Sequence, residues 1–330
     1  MRKKIAIVTG GDSGENTISV KSARNIDKYI DKKKYETFLI IIDKQKWVYT
    51  SLINEEVNVD KNDFSISLNG GKINFDAVFI AIHGTPGEDG KLQGYFDMLK
   101  IPYTSCDRTT SALTFNKFFC NQLVKIYGKV HVSDSILIRK YDTYNEDDIL
   151  KKISLPCFVK ANESGSSIGV TKVKQASHLK PALNIAFKVD EAALIEKFIK
   201  GREITCGVIR TKGQIMALPI TEVISKNEYF DFKAKYDKKK ADEITPANIP
   251  MFLYEECQKI SKELYVFLNC KGIVRFDYIL TPEEKIYFLE VNSIPGLTDE
   301  SIVPQQAAAA GISGTKLFTL LLEETLQKKQ

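Results

Sequence analysis

The stretch Gly272 to Ser301, GIVRFDYILTPEEKIYFLEVNSIPGLTDES, constrains the chain most. It reads as two strands, Val274 to Leu280 and Ile286 to Val291, joined by a turn over Thr281 to Glu284. Side chains alternate along a strand, so Arg275 and Asp277 share one face, as do Glu290 and Asn292. Val274, Phe276, Leu289 and Val291 are expected to point the other way and to bury. Pairing the strands can gather Asp277, Glu290 and Asn292 beside Arg275. Two carboxylates and an amide oxygen suit Mg²⁺ held together with substrate phosphates. A hairpin with a solvated polar face satisfies the same pattern. The metal reading gains because the polar face lies inside a strongly apolar stretch, followed at once by the Pro295-Gly296 turn.

With 330 residues the chain can hold two or three domains. Hydrophobic residues make up 43% and charged residues 27%, ordinary values for a soluble globular protein. A net charge of +5 with scattered lysines gives no nucleic-acid surface. The opening MRKKIAIVTGG carries an apolar run of only Ile5 to Val8, too short for a signal peptide. No apolar run is long enough to span a membrane. The six cysteines form no C-x-x-C pair and read as small hydrophobes in a reducing, cytoplasmic compartment.

From the start, Ile5 to Val8 reads as a buried strand ending in Gly10-Gly11-Asp12-Ser13-Gly14. A helix with Ala23, Ile26 and Ile30 follows, then strands Phe38 to Ile42 and Ala77 to Ile82. This order suggests an α/β fold with a parallel sheet, whose ligands bind beyond the carboxyl ends of the strands. Glu15 and His83 lie there. The turn GGDSGE does not fit the dinucleotide fingerprint, and no phosphate-binding G-x-x-x-x-G-K-[ST] exists. A lone histidine such as His83 is more often a satisfied core residue than a catalyst.

The stretch 105–195 reads as a second unit. Thr109 to Lys125 is expected as one helix carrying Lys117 among phenylalanines. Next an apolar strand delivers Lys160, and the loop Ser164 to Gly169 leads into strand Val170 to Val173. A Gly/Ser loop can fold its N–H groups over a phosphate, with Lys160 adding charge, or be a flexible hairpin tip. Ala193 to Ile199 is expected as a strand, with Glu203 and Thr205 on the next. Thr221 to Pro250 is polar and lysine-rich, a lid or a disordered loop by texture, with Lys235 and Tyr236 inside it. Phe252 to Leu268 is an amphipathic helix, and the last helix offers Leu317, Leu320, Leu321 and Leu326 for packing.

Seven motifs in order, GGDSGENTISVKSA, AIHGTPGEDGKLQG, KANESGSSIG, LIEKFIKGRE, YFDFKAKY, RFDYIL and LEVNSIPGLTDESIVP, resemble the ATP-grasp enzymes of the D-alanine–D-alanine ligase family. The resemblance runs from the first strand to about Pro304. It implies an N-terminal Rossmann-like domain, 1–104, then ATP-grasp subdomains 105–195 and 196–330 that sandwich ATP, with a lid at 222–250. By the same resemblance Glu15 holds the ammonium of the first D-alanine, and His83 lies beside that substrate. Lys117, Lys160 and the lid's Lys235 contact phosphate. Glu196, Lys197, Phe198 and Ile199 bind adenine, and Glu203 the ribose. Ser166 and Tyr236 join Glu15 in a hydrogen-bonded triad. Asp277, Glu290 and Asn292 match ligands of two Mg²⁺ ions, which Mn²⁺ can replace. Arg275 and the Gly296 N–H resemble an oxyanion-stabilising pair, and Ser301 a contact to the second carboxylate. A homodimer is implied as well. Ser164 stands where the family often has an acidic residue, and Ile302 where leucine is common. Tyr236 favours an amine over D-lactate as second substrate. A D-serine or D-lactate ligase, or a non-catalytic ATP-grasp regulator, are the other readings.

Overall fold

The computed structural model describes residues 2–44, 46–50, 56–225 and 241–327. Three sheets organise them. In the first, the apolar strand Lys3–Gly10 lies between Tyr35–Asp43 and Ala77–Ile80, parallel to both. Strands Lys46–Thr50, Glu56–Asp60, Ser65–Leu68 and Gly71–Ile73 extend it as an antiparallel meander. Asn69 and Gly70 both take positive φ at the last turn of that meander, the Asn-Gly hairpin signature.

The second sheet is antiparallel, in the order Thr171–Val173, Cys157–Ala161, Ala192–Lys197, Ser135–Arg139. Helices Glu146–Lys152 and Leu179–Ala186 bury one face of it through Ile149, Leu179 and Leu183. The third sheet runs Ala241–Ile244, Thr221–Ser225, Arg202–Thr211, Ile273–Leu280, Ile286–Asn292, His131–Val132. Helix Met251–Phe267 and helix Lys117–Tyr127 cover its apolar face, where Phe276 and Tyr278 are fully buried. The last helix, Gly314–Gln327, crosses back to the first sheet and sets Phe318 edge-on to Phe79, ring centroids 5.9 Å apart.

Several expectations shift. The helix expected over 109–125 is two, Arg108–Phe115 and Lys117–Tyr127. Asn116 leaves helical geometry and caps the second, its Oδ1 accepting from the Phe119 N–H at 3.0 Å. This puts Lys117 at a helix start. The strand expected to reach Ile199 stops at Lys197, because Phe198 to Lys200 carry the chain from the second sheet to the third. The boundary expected between 195 and 196 falls inside that strand, and Cys120 and Val124 pack with the third sheet rather than the second. The hairpin register shifts beyond Asp277, with Asp277 opposite Glu290 and Tyr278 opposite Phe288. A bulge places two residues against one, so Leu289 lines the cavity described below instead of burying as expected, and Phe288 takes the core place.

Truncating the centre of the third sheet's core tests this packing. Phe276→Ala is expected to lower unfolding stability by about 3–5 kcal/mol, read as a shifted urea midpoint.

Candidate active site

The hairpin presents its polar face as the alternation requires. Arg275 pairs across the strands with Asn292, and Asp277 with Glu290. Arg275 grips Asp277 with two hydrogen bonds, Nε to Oδ1 at 2.8 Å and an Nη to Oδ2 at 2.7 Å. The Thr205 hydroxyl donates to Asp277 Oδ1 at 2.6 Å, and Asn292 Nδ2 to Oδ2 at 3.0 Å. Burial alone would lower the Arg275 guanidinium pKa, but Asp277 more than offsets this and holds it firmly charged. Asn292 spends its N–H on Asp277, which leaves its amide oxygen for another partner. Among the described residues no three His, Cys, Asp or Glu side chains cluster to hold a metal. The donor set is two carboxylates and one amide, and it fits a hard divalent cation whose remaining ligands are phosphate oxygens and water.

Between the second and third sheets lies a cavity of about 390 Å³. Phe158, Phe198, Ile199 and Leu289 give it apolar walls, and Glu203 lies along it. Lys117 and Glu290 stand at its polar end. Lys160 makes an ion pair with Glu196 from the neighbouring strand, both side chains nearly buried. Burial would lower the Lys160 pKa, but Glu196 more than compensates and the ammonium is raised above its ordinary range. The Ser133 hydroxyl donates to the Lys197 carbonyl at 2.7 Å, which fixes the crossing strand end. Lys117 Nζ reaches the Ser164 carbonyl and lies 3.9 Å from Glu290 Oε2, so it joins the serine loop to the hairpin. In that loop Ser166 and Ser167 both take positive φ.

On the N-terminal side, Glu15 is buried at the start of helix Asn16–Tyr29, and the Ser166 hydroxyl donates to its Oε1. Gly165 sits directly against that carboxylate, with no room for a side chain. His83 is buried in full hydrogen bonding. Its Nδ1 lies 2.9 Å from the Ile294 carbonyl and its Nε2 3.2 Å from the Ser22 hydroxyl. A carbonyl only accepts, so Nδ1 carries the proton and Nε2 accepts from Ser22. Burial lowers the His83 pKa, against a smaller opposing pull from Glu15. Ser301 precedes helix Ile302–Ala309, and its Oγ lies 2.8 Å from where a Gly296 Cβ would be.

The structure thus joins Glu15 to Ser166 and Lys117 to Ser164 on one loop, while Lys117, Glu290 and Asn292 line one small cavity and Asn292 reaches the Arg275–Asp277 pair. Lys160, Glu196, Lys197, Phe198, Ile199 and Glu203 line the cavity. Gly296 and Ser301 adjoin each other, and His83 reaches their segment through the Ile294 carbonyl and, by way of the Ser22 hydroxyl, the Leu297 N–H. Lys235 and Tyr236 lie outside the described residues. Sequence reasoning missed Glu88. It is 7% exposed, lines a small cavity with Lys117, Gly165 and Asn292, and is pushed up to about 8 by burial and then by Glu15. The acid-rich loop GTPGEDG was visible, but an acidic residue in such a loop usually reads as solvated.

Two largely antiparallel sheets with a cavity between them, joined to a Rossmann-like domain, define an ATP-grasp fold. Family comparison agrees. The D-ala D-ala ligase N-terminus matches residues 4–106, and the D-ala D-ala ligase C-terminus matches residues 128–323. A D-alanine–D-alanine ligase of Flavobacterium johnsoniae is 48% identical over 98% of this chain and 99% of its own length. One of Bacteroides fragilis is 45% identical over the same shares. The crystal structure of the Bacillus anthracis D-alanine–D-alanine ligase complexed with ATP superposes with a TM-score of 0.78 at 30% identity, covering 100% of this chain and 98% of that one. The chain belongs to the D-alanine–D-alanine ligase family.

The neutral His83 makes a pH prediction. Its folded pKa lies below the free value near 6.5, so the unfolded chain binds the extra proton first as pH falls. Stability is therefore expected to drop below about pH 6.5, by up to about 1.4 kcal/mol per pH unit from this group. His83→Gln flattens that limb in urea titrations between pH 5 and 7.5.

Proposed function

We propose that the chain joins two D-alanines into D-alanyl-D-alanine while ATP becomes ADP and phosphate, a step in supplying peptidoglycan precursor. The observation that carries this is the serine loop, which holds Glu15 through the Ser166 hydroxyl and Lys117 through the Ser164 carbonyl, with Lys117 in turn beside Glu290 and Asn292. An amino acid whose ammonium rests on Glu15 has its carboxylate directed at a phosphoryl group held by Lys117 and by a cation on Glu290.

The chemistry follows from that arrangement. A carboxylate is a poor electrophile until one oxygen becomes a leaving group. The first D-alanine carboxylate attacks the γ-phosphorus, the bond to the bridging oxygen breaks, and ADP leaves an acyl phosphate. The amine of the second D-alanine then attacks the carbonyl carbon and phosphate departs. Lys117, Lys160 and, from the resemblance, Lys235 offset charge on the transferring group. Asp277, Glu290 and Asn292 would hold Mg²⁺, two ions by the family pattern and replaceable by Mn²⁺, which supplies charge neutralisation to the phosphates when bound. Arg275, already held in line by Asp277, and the Gly296 N–H face the oxyanion of the second step. Ser301 and the first N–H groups of its helix receive the second carboxylate. Glu196, Lys197, Phe198 and Ile199 hold adenine, and Glu203 the ribose. Glu15, Ser166 and Tyr236 close the lid over the acyl phosphate, which water would otherwise destroy. We read the protein as a cytoplasmic homodimer, from its reduced cysteines and the family resemblance; no described helix is long and apolar enough to cross a membrane.

The direct experiment measures ADP and product mass with ATP, Mg²⁺ and D-alanine, beside L-alanine, D-alanine plus D-serine and D-alanine plus D-lactate. D-Alanyl-D-alanine from the D-isomer alone is expected. ADP without any dipeptide would overturn the reading. Glu290→Gln is expected to cut turnover at least about 100-fold, several kcal/mol of transition-state stabilisation, with an unchanged melting midpoint. Asp277→Ala is expected to abolish turnover and also cost about 3–5 kcal/mol of stability, because Arg275 is left buried and unpaired.

A further inference from the structure

Glu88 ties together two parts of the fold that are far apart in sequence. Its Oε2 accepts the Gly84 N–H at 2.8 Å, within the His83 loop. Its Oε1 accepts the Ile294 N–H at 3.2 Å, on the segment leaving the hairpin. The Ile294 carbonyl accepts from His83 Nδ1 at 2.9 Å. Both polar groups of Ile294 are thus held by one loop of the N-terminal domain, and its side chain is buried in that domain's core beside Ile82 and Phe96. Three residues on, Leu297 is held again, its N–H on the Ser22 hydroxyl at 3.4 Å and its carbonyl on Asn25 Nδ2 at 2.8 Å. Gly296 lies between these two grips, and Asn292 lies just before the first.

We propose that Glu88 is a positioning residue for ligation, setting the register of segment 293–297 against the His83 loop. The substrate carried by Glu15 belongs to one side of this joint, and Glu290 and Asn292, which would hold the cation on the phosphates, to the other. A misplacement of about 1 Å between reacting groups costs on the order of 100-fold in rate. Glu88 accepts at both oxygens, and when protonated its hydroxyl oxygen still keeps a lone pair for one N–H, whereas a glutamine there accepts at one oxygen and turns an N–H₂ against the other donor. A slack joint also admits water. Water attacks the carbonyl carbon of the acyl phosphate, the carbon–oxygen bond to phosphate breaks, and D-alanine and phosphate are returned. The net reaction is then ATP hydrolysis without a peptide.

The test rests on the ligase reading, and it measures ADP and dipeptide in the same samples for the wild type, Glu88→Gln and Glu88→Ala, with melting midpoints and the KM for ATP. In the wild type the ratio of ADP to dipeptide is expected at one. Glu88→Gln is expected to lose about 10-fold in kcat and Glu88→Ala about 100-fold, with ratios above one. The KM for ATP stays within about twofold, because Glu88 does not line the nucleotide cavity. Loss of folded protein lowers both products together and keeps the ratio at one. A ratio of one in both variants therefore overturns the proposal, and where Glu88→Ala fails to fold, Glu88→Gln decides alone. A wild type that releases ADP but no dipeptide overturns the ligase reading itself, and the inference with it.

Discussion

A largely enclosed guanidinium set among carboxylates organises this molecule. Arg275 is nearly enclosed, and a buried charge is tolerated only when paired and hydrogen-bonded. Asp277, two residues along the same strand face, meets it through two parallel bonds. Thr205 from one neighbouring strand and Asn292 from the other then pin Asp277 in turn. Three adjacent strands are locked in register by one carboxylate. Their polar face is therefore fixed by the protein's own hydrogen bonds.

The cavity follows from how the two ATP-grasp sheets are joined. The chain passes from one to the other at Phe198 to Lys200, so a single crossing supplies both an apolar wall and a backbone edge. The Lys160–Glu196 pair spans adjacent strands at that same end. Its ammonium stays charged despite burial because its partner is built into the next strand. The cavity wall therefore carries a cation whose own desolvation is already offset.

Much of this was legible in the chain. Period-two alternation placed Arg275 with Asp277 and Glu290 with Asn292, and the observed register sets them across from one another. What alternation could not show was the bulge, which sent Leu289 to the cavity wall. Apolar spacing ran straight through Asn116, because a capping asparagine looks like any polar helix residue until its neighbours are known. The meander at 46–73 went unread although Asn69-Gly70 marked its last turn. Glu88 was illegible for another reason. Its burial depends on Ile294, far away in sequence, and nothing local distinguishes a carboxyl that accepts two buried N–H groups from one in water. Lys235 and Tyr236 stood out in a lysine-rich stretch, and the family pattern alone gave Tyr236 its role.

The docking of the last helix on the first sheet has a consequence for synthesis. The face of that sheet bearing Ile5, Ile7, Ala77 and Phe79 is closed by Leu317, Phe318 and Leu321. A ribosome adding roughly 5–20 residues per second makes the first of these strands tens of seconds before the residues that seal it. Helix Asn16–Tyr29 shields part of the gap through Ala23 and Ile26. For the remainder of translation the nascent N-terminal domain carries an uncovered apolar face, and a truncated product lacking its final helix would keep that face as a surface for aggregation or chaperone capture.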